Sequence, residues 1–370
     1  MKVIITGDFC PSNRVVGAFE KGDYDSVLSE VRSFTKQADY SIVNFECPVM
    51  TGQANPIEKN GPNLFCSVNG VEAIKYAGFD CVTLANNHFL DFGEKGVVET
   101  INSLNNYGID HVGGGLNLKD SSSVLYKDIE DRRLAIINCC EHEFSVATNT
   151  SAGCNPLNPI QQFYAIKEAK KCADIVLVIT HGGHEHFQLP SPRMVETYRF
   201  FIDAGADAVV NHHQHCFSGY EVYNEKPIFY GLGNFCFDDP SINNGLWTEG
   251  YAVSIDFSTA KTSFEIYPYH QCGIEPKVVF LSQLAFNDKL NKLNAIIANQ
   301  DELQSIVNDY YASNEEQYSN IIEPIRNRYY LGAKRRGWLP SFISKERKLI
   351  ITNYVVCEAH RDRFIYYLQH

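Results

Sequence analysis

Nowhere in these 370 residues do 18 apolar residues follow one another. A membrane-crossing helix needs about 20, so no segment reads as transmembrane. The start, "MKVIITGDF", enters a β-branched apolar run that is too short for a signal-peptide core, and no small-residue cleavage site follows it. No CxxC pair occurs among the twelve cysteines. Most of them sit in apolar runs such as "DCVTLA", "LAIINCC" and "KKCADIV". That is the pattern of buried free thiols in a reducing compartment rather than of a disulfide framework, and it predicts a cytoplasmic protein. Repeats, low-complexity tracts and Gly/Ser linkers are absent as well. The main body also lacks positive charge. Residues 321–370 carry ten Lys/Arg against four Asp/Glu, or +6; with −12 overall, the first 320 residues hold −18. A body so acidic is a poor partner for nucleic acid, whose phosphates need cationic surface. The basic tail reads first as a solvated face, with an anionic polymer or anionic lipid as its possible partner.

What is present is alternation. "KVIITGDF", "YSIVNFE", "DCVTLAN", "RRLAIINCC", "DIVLVIT" and "DAVVNHH" have the apolar, β-branched character of buried strands. Between them run segments of helical spacing, three of which end at Gly78, Gly108 and Gly205, the residue type that closes helices. This predicts an α/β domain. After it, "KPIFYGLGNFCF", "YAVSIDFS" and "TSFEIYPYH" suggest a second, more antiparallel sheet region. From about residue 281 the chain reads helical, with Leu281, Leu284, Leu290 and Leu293 as its apolar stripe. The expected organisation is one domain over 1–280 and a helical extension over 281–370 packed on it.

Unusual polar residues gather where the strands end, the place at which open α/β sheets bind ligands. Asp8 ends the first strand, and Asn44 and Glu46 the second. Asn87 and His88 end the third, with Asp91 close behind, and Glu143 follows the fourth. His181 ends the fifth, with His184 and Glu185 next to it, and His212, His213 and His215 end the sixth. Six of the twelve histidines fall within 35 residues. Each residue has an ordinary reading: a turn, a cap, a solvated loop. Their coincidence at one rim, offering carboxylate oxygen and imidazole nitrogen, points instead to divalent metal. Asp91 is equally readable as a partner that orients His88 or as a cap for the helix after it.

The run "GDF…NFECP…LANNHFLDFGEKGVVETI…DIVLVITHGG…DAGADAVVNHHQHCFSGYE…IFYGLGNFCFD" resembles the CapA family of bacterial capsule-synthesis proteins, over roughly residues 1–240. That family is in turn similar to the calcineurin-like metallophosphoesterases. The resemblance implies a four-layer αββα sandwich of the metallo-dependent phosphatase type, with two divalent ions (Mn, Fe or Zn). It implies Asp8, Glu46, Asn87, His181, His213 and His215 as metal ligands and His88 as a hydrogen-bond or proton donor; His88 with Asp91 beside it is the expected catalytic pair. Asn44, Glu143, His184, Glu185, His212 and Asn234 are expected at the substrate. Cys10 stands where the broader superfamily has a histidine, and Glu46 where it has a bridging aspartate. The implied function is a dinuclear-metal hydrolase of the phosphoester type in capsule or surface-polymer synthesis. It would act on an anionic polymer or phosphoester, alongside other capsule-synthesis proteins. Two alternatives stay open: hydrolysis of an amide such as a γ-glutamyl linkage, and a non-catalytic assembly role.

Overall fold

The computed structural model describes residues 1–314 except 243 and 260, and then 323, 325 and 327–356. Chain order gives β1 (Lys2–Phe9), α1 (Asn13–Phe19), α2 (Asp25–Thr35), β2 (Tyr40–Phe45), α3 (Val68–Ala77), β3 (Cys81–Thr83), α4 (Gly93–Asn106) and β4 (Asp110–Val112). There follow β5 (Gly114–Gly115), α5 (Leu118–Ser121), β6 (Leu125–Ile129), β7 (Arg132–Cys140), β8 (Gly153–Cys154), α6 (Pro159–Cys172), β9 (Ile175–His181), α7 (Pro192–Ala204) and β10 (Ala208–His212). The series ends with β11 (Tyr220–Tyr223), β12 (Lys226–Phe229), β13 (Asn234–Cys236), β14 (Glu249–Asp256), β15 (Ser263–Gln271), β16 (Val278–Phe280), α8 (Gln283–Ala298) and α9 (Gln300–Ser313). Helices Arg328–Arg335 and Lys345–Val356 lie beyond them. Local chemistry explains the helix ends. Asn158 and Ser191 accept backbone N–H bonds at the starts of α6 and α7, each with proline in the first turn. Gly78 closes α3 at a left-handed φ of 84°.

Two sheets form. The first runs β16-β15-β14-β1-β2-β3-β4, with β13 also paired to β1; the second runs β11-β12-β10-β9-β7-β6. Alternation along the strands sorts side chains into layers. Val3, Ile5 and Ile42 meet Leu134, Leu177, Ile179 and Val210 between the sheets. Ile4 and Val43 face the other way, into a cluster with Val27, Leu28, Val71, Ile74 and Val97 of α2, α3 and α4. Helices α6 and α7 pack on the second sheet. The result is the four-layer αββα sandwich. One expectation is corrected. The late strands do not form a region of their own: β12 joins the second sheet beside β10, while β14 pairs antiparallel with β1, and β15 and β16 extend the first sheet from there. The free edge of β1 gave them a place to pair.

At Asp8 this ordering is broken on purpose. The β1–β2 ladder slips between Thr6 and Asp8. Before the slip, odd residues Val3 and Ile5 face the second sheet; after it, odd residue Phe9 lies in the helix-side cluster. The bulge at Gly7 has inverted the alternation, so Asp8 is turned toward the second sheet. Only glycine fits there, because a Cβ would lie 1.8 Å from the Gly233 carbonyl oxygen. Gly7→Ala should therefore cost ~1–3 kcal/mol as an overpacked core position, read as a lower urea midpoint. An unchanged midpoint would show that the strands can part without loss.

Helices are present C-terminal to the sandwich. Two compact units divide the chain, Met1–Gln304 and Ser305–His370. Helix α8 belongs to the first, where Phe286 meets Phe217 at 4.5 Å between ring centroids and Leu290 is buried. Asn294 accepts the Tyr220 backbone N–H at 2.7 Å. The expected stripe needs correcting at its start. Leu281 precedes the helix, and Leu284 is 82% exposed. The packed face is Phe286, Leu290, Leu293 and Ile297, one residue every three to four. In the basic tail, residues 357–370 lie outside the described residues. Among the described residues, no helix is long and apolar enough to cross a membrane.

Candidate metal centre

Five strand ends of the two sheets bring the site together. Asp8 comes from β1, Glu46 from the residue after β2, and Asn87 from the turn after β3; His181 ends β9, and His213 and His215 follow β10. The turn after β3 is held by Asn86, whose Nδ2 donates to the Phe45 carbonyl (2.9 Å) and whose Oδ1 accepts from His88 N (3.1 Å). His213 and His215 both have left-handed backbones, at φ 96° and 53°. Such angles are rare outside glycine, and they fold the "HHQH" segment back so that both rings enter one space. His181 Nε2 lies 3.0 Å from Asn87 Oδ1, 3.1 Å from His213 Nδ1 and 3.5 Å from Glu46 Oε1. His215 Nε2 lies 3.7 Å from the same Glu46 oxygen, and its Nδ1 lies 3.8 Å from Asp8 Oδ2.

Does this donor set suit a metal? Glu46 is fully buried, yet neither of its carboxylate oxygens has a hydrogen-bond partner. A carboxylate stripped of water and left bare costs several kcal/mol, and buried charges are normally paired or bound to metal. Two groups of donors converge on it: Glu46 with His181 and His213, and Asp8 and Glu46 with His215, each with its ligand atoms within 4.8 Å of one another. Oxygen and imidazole nitrogen in this mix suit Zn, Mn or Fe. The residues present fit a divalent ion.

Electrostatics agree. Burial, followed by the charge of Asp8, pushes the Glu46 carboxyl well above its usual range. Burial also lowers His181 far below the ordinary histidine value, with the neighbouring imidazoles adding to it, and brings His215 down to about 4. For Asp8, burial pulls upward but is outweighed by His212 and His215 beside it, so the group sits below its ordinary value. His181 and His215 are thus biased toward the neutral form that ligates, while Glu46 is biased toward the protonated form, whose proton a metal would displace. Metal binding to the stripped protein at pH 7 should release up to ~1 proton from Glu46, and affinity should rise with pH above the ordinary glutamate range. Calorimetry in buffers of different ionisation enthalpy reads this directly. No proton release, or weaker binding at higher pH, would contradict it.

Beside the ligands stands the expected pair. His88 Nδ1 is 2.7 Å from Asp91 Oδ2. Asp91 does not cap α4, whose N-cap position is Phe92 with no side-chain bond. Sequence reasoning missed Lys59. Its side chain is 2% exposed, and its ammonium pairs with Asp91 and lies 3.2 Å from His88 Nδ1. It comes from the irregular stretch "NPIEKNGPNLF", which carries no periodicity or motif to mark it.

Three residues expected at the substrate lie buried behind the donor set. Asn44 is buried and spent on its neighbours: its Nδ2 donates to Asp8 Oδ1 at 2.8 Å, and its Oδ1 accepts from Thr83. Asn234 Oδ1 lies 2.9 Å from His215 Nδ1, and His212 is 1% exposed with Nδ1 3.4 Å from Asp8 Oδ1. All three side chains are turned inward beside the candidate donors, with almost no exposed surface. Glu143, Glu185 and the half-buried His184 stay at the rim, Glu143 3.9 Å from His213 Nε2. Cys10 lies in the helix-side apolar cluster and in neither donor group.

Comparison with known proteins gives the same direction. The family described as "Bacterial capsule synthesis protein PGA_cap" matches residues 2–239. The chain is 35% identical over 246 residues to capsule biosynthesis protein CapA of Bacillus anthracis, covering 64% of this chain and 60% of that one. It is 34% identical over 237 residues to PGA biosynthesis protein CapA of Bacillus subtilis (strain 168), covering 63% and 62%. It therefore spans about three fifths of the length of these curated relatives. A putative 5'-nucleotidase from Staphylococcus aureus overlays 80% of this chain and 58% of its own at 14% identity, with a TM-score of 0.44 that is too low to carry weight. With its family match spanning residues 2–239 and the histidine-rich strand ends inside it, the chain belongs to the bacterial capsule synthesis family PGA_cap.

Proposed function

We propose that this chain is a hydrolase of the phosphoester type that uses two divalent ions and works in capsule or surface-polymer synthesis. The observation that carries the reading is Glu46, a bare buried carboxylate shared by two donor groups. One ion would be held by Glu46, His181, His213 and Asn87, the other by Asp8, Glu46 and His215. When bound, such ions acidify water toward ~7 and polarise the scissile bond. The protein's own groups do the rest. Asn44 orients Asp8, and Asn234 orients His215, fixing which ring nitrogen faces the pocket. His88 holds its Nδ1 proton toward Asp91 and turns Nε2 to the leaving group, which it would stabilise or protonate in its doubly protonated form, where Nε2 carries the proton that is given up. Glu143, His184 and Glu185 form the part of the rim a substrate meets. The substrate would be an anionic polymer or phosphoester, with other capsule-synthesis proteins as partners. The buried free thiols suit a reducing cytoplasm.

The names of the relatives support a second reading, cleavage of a γ-glutamyl amide at the same site; one Mycobacterium tuberculosis relative, 31% identical over 164 residues, is named a probable polyglutamine synthesis accessory protein. Metal analysis of the purified full chain decides first, followed by turnover of bis(p-nitrophenyl) phosphate after chelation and Mn²⁺ return. Two ions per chain with metal-dependent release are expected. Release of γ-glutamyl oligomers in place of phosphoester turnover would move the assignment to the amide. A protein that binds no metal and turns over neither would leave only an assembly role.

A further inference from the structure

Asp91 is completely buried, and a loop with no regular structure closes around it. Leu64 N donates to Asp91 Oδ2 at 2.6 Å, and Ile57 N donates to the Asp91 carbonyl at 2.9 Å. Asn63 Nδ2 ties the loop to itself through the Ile57 carbonyl at 3.2 Å. Lys59 lies at the centre of this clasp. Its ammonium pairs with Asp91 Oδ1 and sits 5.5 Å from the centre of the Phe144 ring. A buried lysine is costly unless paired, and this one is spent on the residue that holds His88.

The donors must be apportioned. At 2.7 Å from a carboxylate oxygen, His88 Nδ1 has to carry a proton, because two lone pairs would repel. Lys59 then has nothing to accept it at Nδ1, so it gives its protons to Asp91 Oδ1. Each Asp91 oxygen is thereby assigned, Oδ1 to Lys59 and Oδ2 to His88 and Leu64. Removing the ammonium would leave the carboxylate buried without a counter-charge and free to turn. We propose that Lys59 is a positioning residue that acts through Asp91, locking His88 with the proton on Nδ1 and Nε2 toward the reacting group. The kinetic part of this inference rests on the hydrolase reading; the placement of the His88 proton does not.

A double-mutant cycle in the full chain tests it, comparing Lys59→Met, Asp91→Asn and the two together, with Mn²⁺ for kinetics and Zn²⁺ for NMR. Lys59→Met should lower kcat ~10–100-fold, the usual cost of losing an orienting partner, with KM and metal content within about twofold. The double variant should be no slower than Asp91→Asn alone, since a residue acting through Asp91 has nothing left to hold. The ¹⁵N signals of His88 should show Nδ1 protonated in the wild type and a mixture of tautomers in Lys59→Met. Additive losses, or full turnover in Lys59→Met with metal retained, would overturn the proposal. Should Lys59→Met fail to fold, the double variant, in which both members are neutral, still supplies the comparison with Asp91→Asn. If the wild type cleaves no phosphoester, the hydrolase reading fails by itself, and an unchanged His88 spectrum is then the result that overturns the role of Lys59.

Discussion

His88→Ala should lower turnover by ~10²–10⁴ and leave metal content near the wild-type level. The residue is in neither donor group, so the ions should stay. Its ring is fixed by Asp91 at 2.7 Å, and its neighbour Asn87 lies 3.0 Å from His181 Nε2, so the imidazole stands at the edge of the metal pocket. What the substitution removes is a proton or hydrogen bond delivered to developing charge, which acts in the transition state more than in binding. KM should therefore change little. Stopped-time assays with metal analysis on the same preparation check this. Equal turnover in His88→Ala with metal retained would take His88 out of the reaction.

Glu46→Gln should weaken metal binding by more than ~100-fold, beyond the usual cost of losing a mere outer-shell partner. Both donor groups share this carboxylate, so its loss is felt twice. Stability of the stripped protein should move the other way. In the absence of metal the Glu46 carboxyl is fully buried, with no hydrogen bond and with Asp8 nearby, so ionising it is costly. Its carboxyl is raised in the folded state, so its contribution to stability is present below the ordinary glutamate range and is lost as pH rises through the raised value. Replacing it by a neutral amide removes that loss, so metal-free Glu46→Gln should melt above the metal-free wild type at neutral pH and show a flatter pH profile. Added metal should reverse the order. A variant that melts lower than wild type without metal would mean that Glu46 is a structural residue and not a ligand held at a cost.

Part of this site was legible because it is local. A strand's end can be read from where its apolar run stops, and a metal ligand from its chemistry. Asp8, Glu46, Asn87, His181, His213 and His215 all lie where the strands stop, and the structure brings them into one space. The His88–Asp91 pair was legible for a similar reason, since three residues along a turn keep two side chains within reach. Asn44 and Asn234 were legible as strand-end residues but not as buried ones. Which face a strand-end side chain takes depends on the layer packed against it, and that layer comes from residues far along the chain.

The sequence by itself determined the α/β alternation, the strand ends and the donor types, because periodicity and side-chain chemistry are properties of neighbouring residues. Only the tertiary structure decided which way the donors point and what stands behind them. The slip at Gly7 turns Asp8 toward the second sheet because the Gly233 carbonyl occupies the space a side chain would need. Glu46 is left bare because segments 135 and 169 residues away close over it with imidazoles and no hydrogen-bond donor to its oxygens (His181 and His215). Lys59 reaches Asp91 from a loop 32 residues earlier, with no local pattern to announce it. Contacts between distant segments are set by packing and by the need to compensate buried charge, and neither is written in any short stretch of the chain.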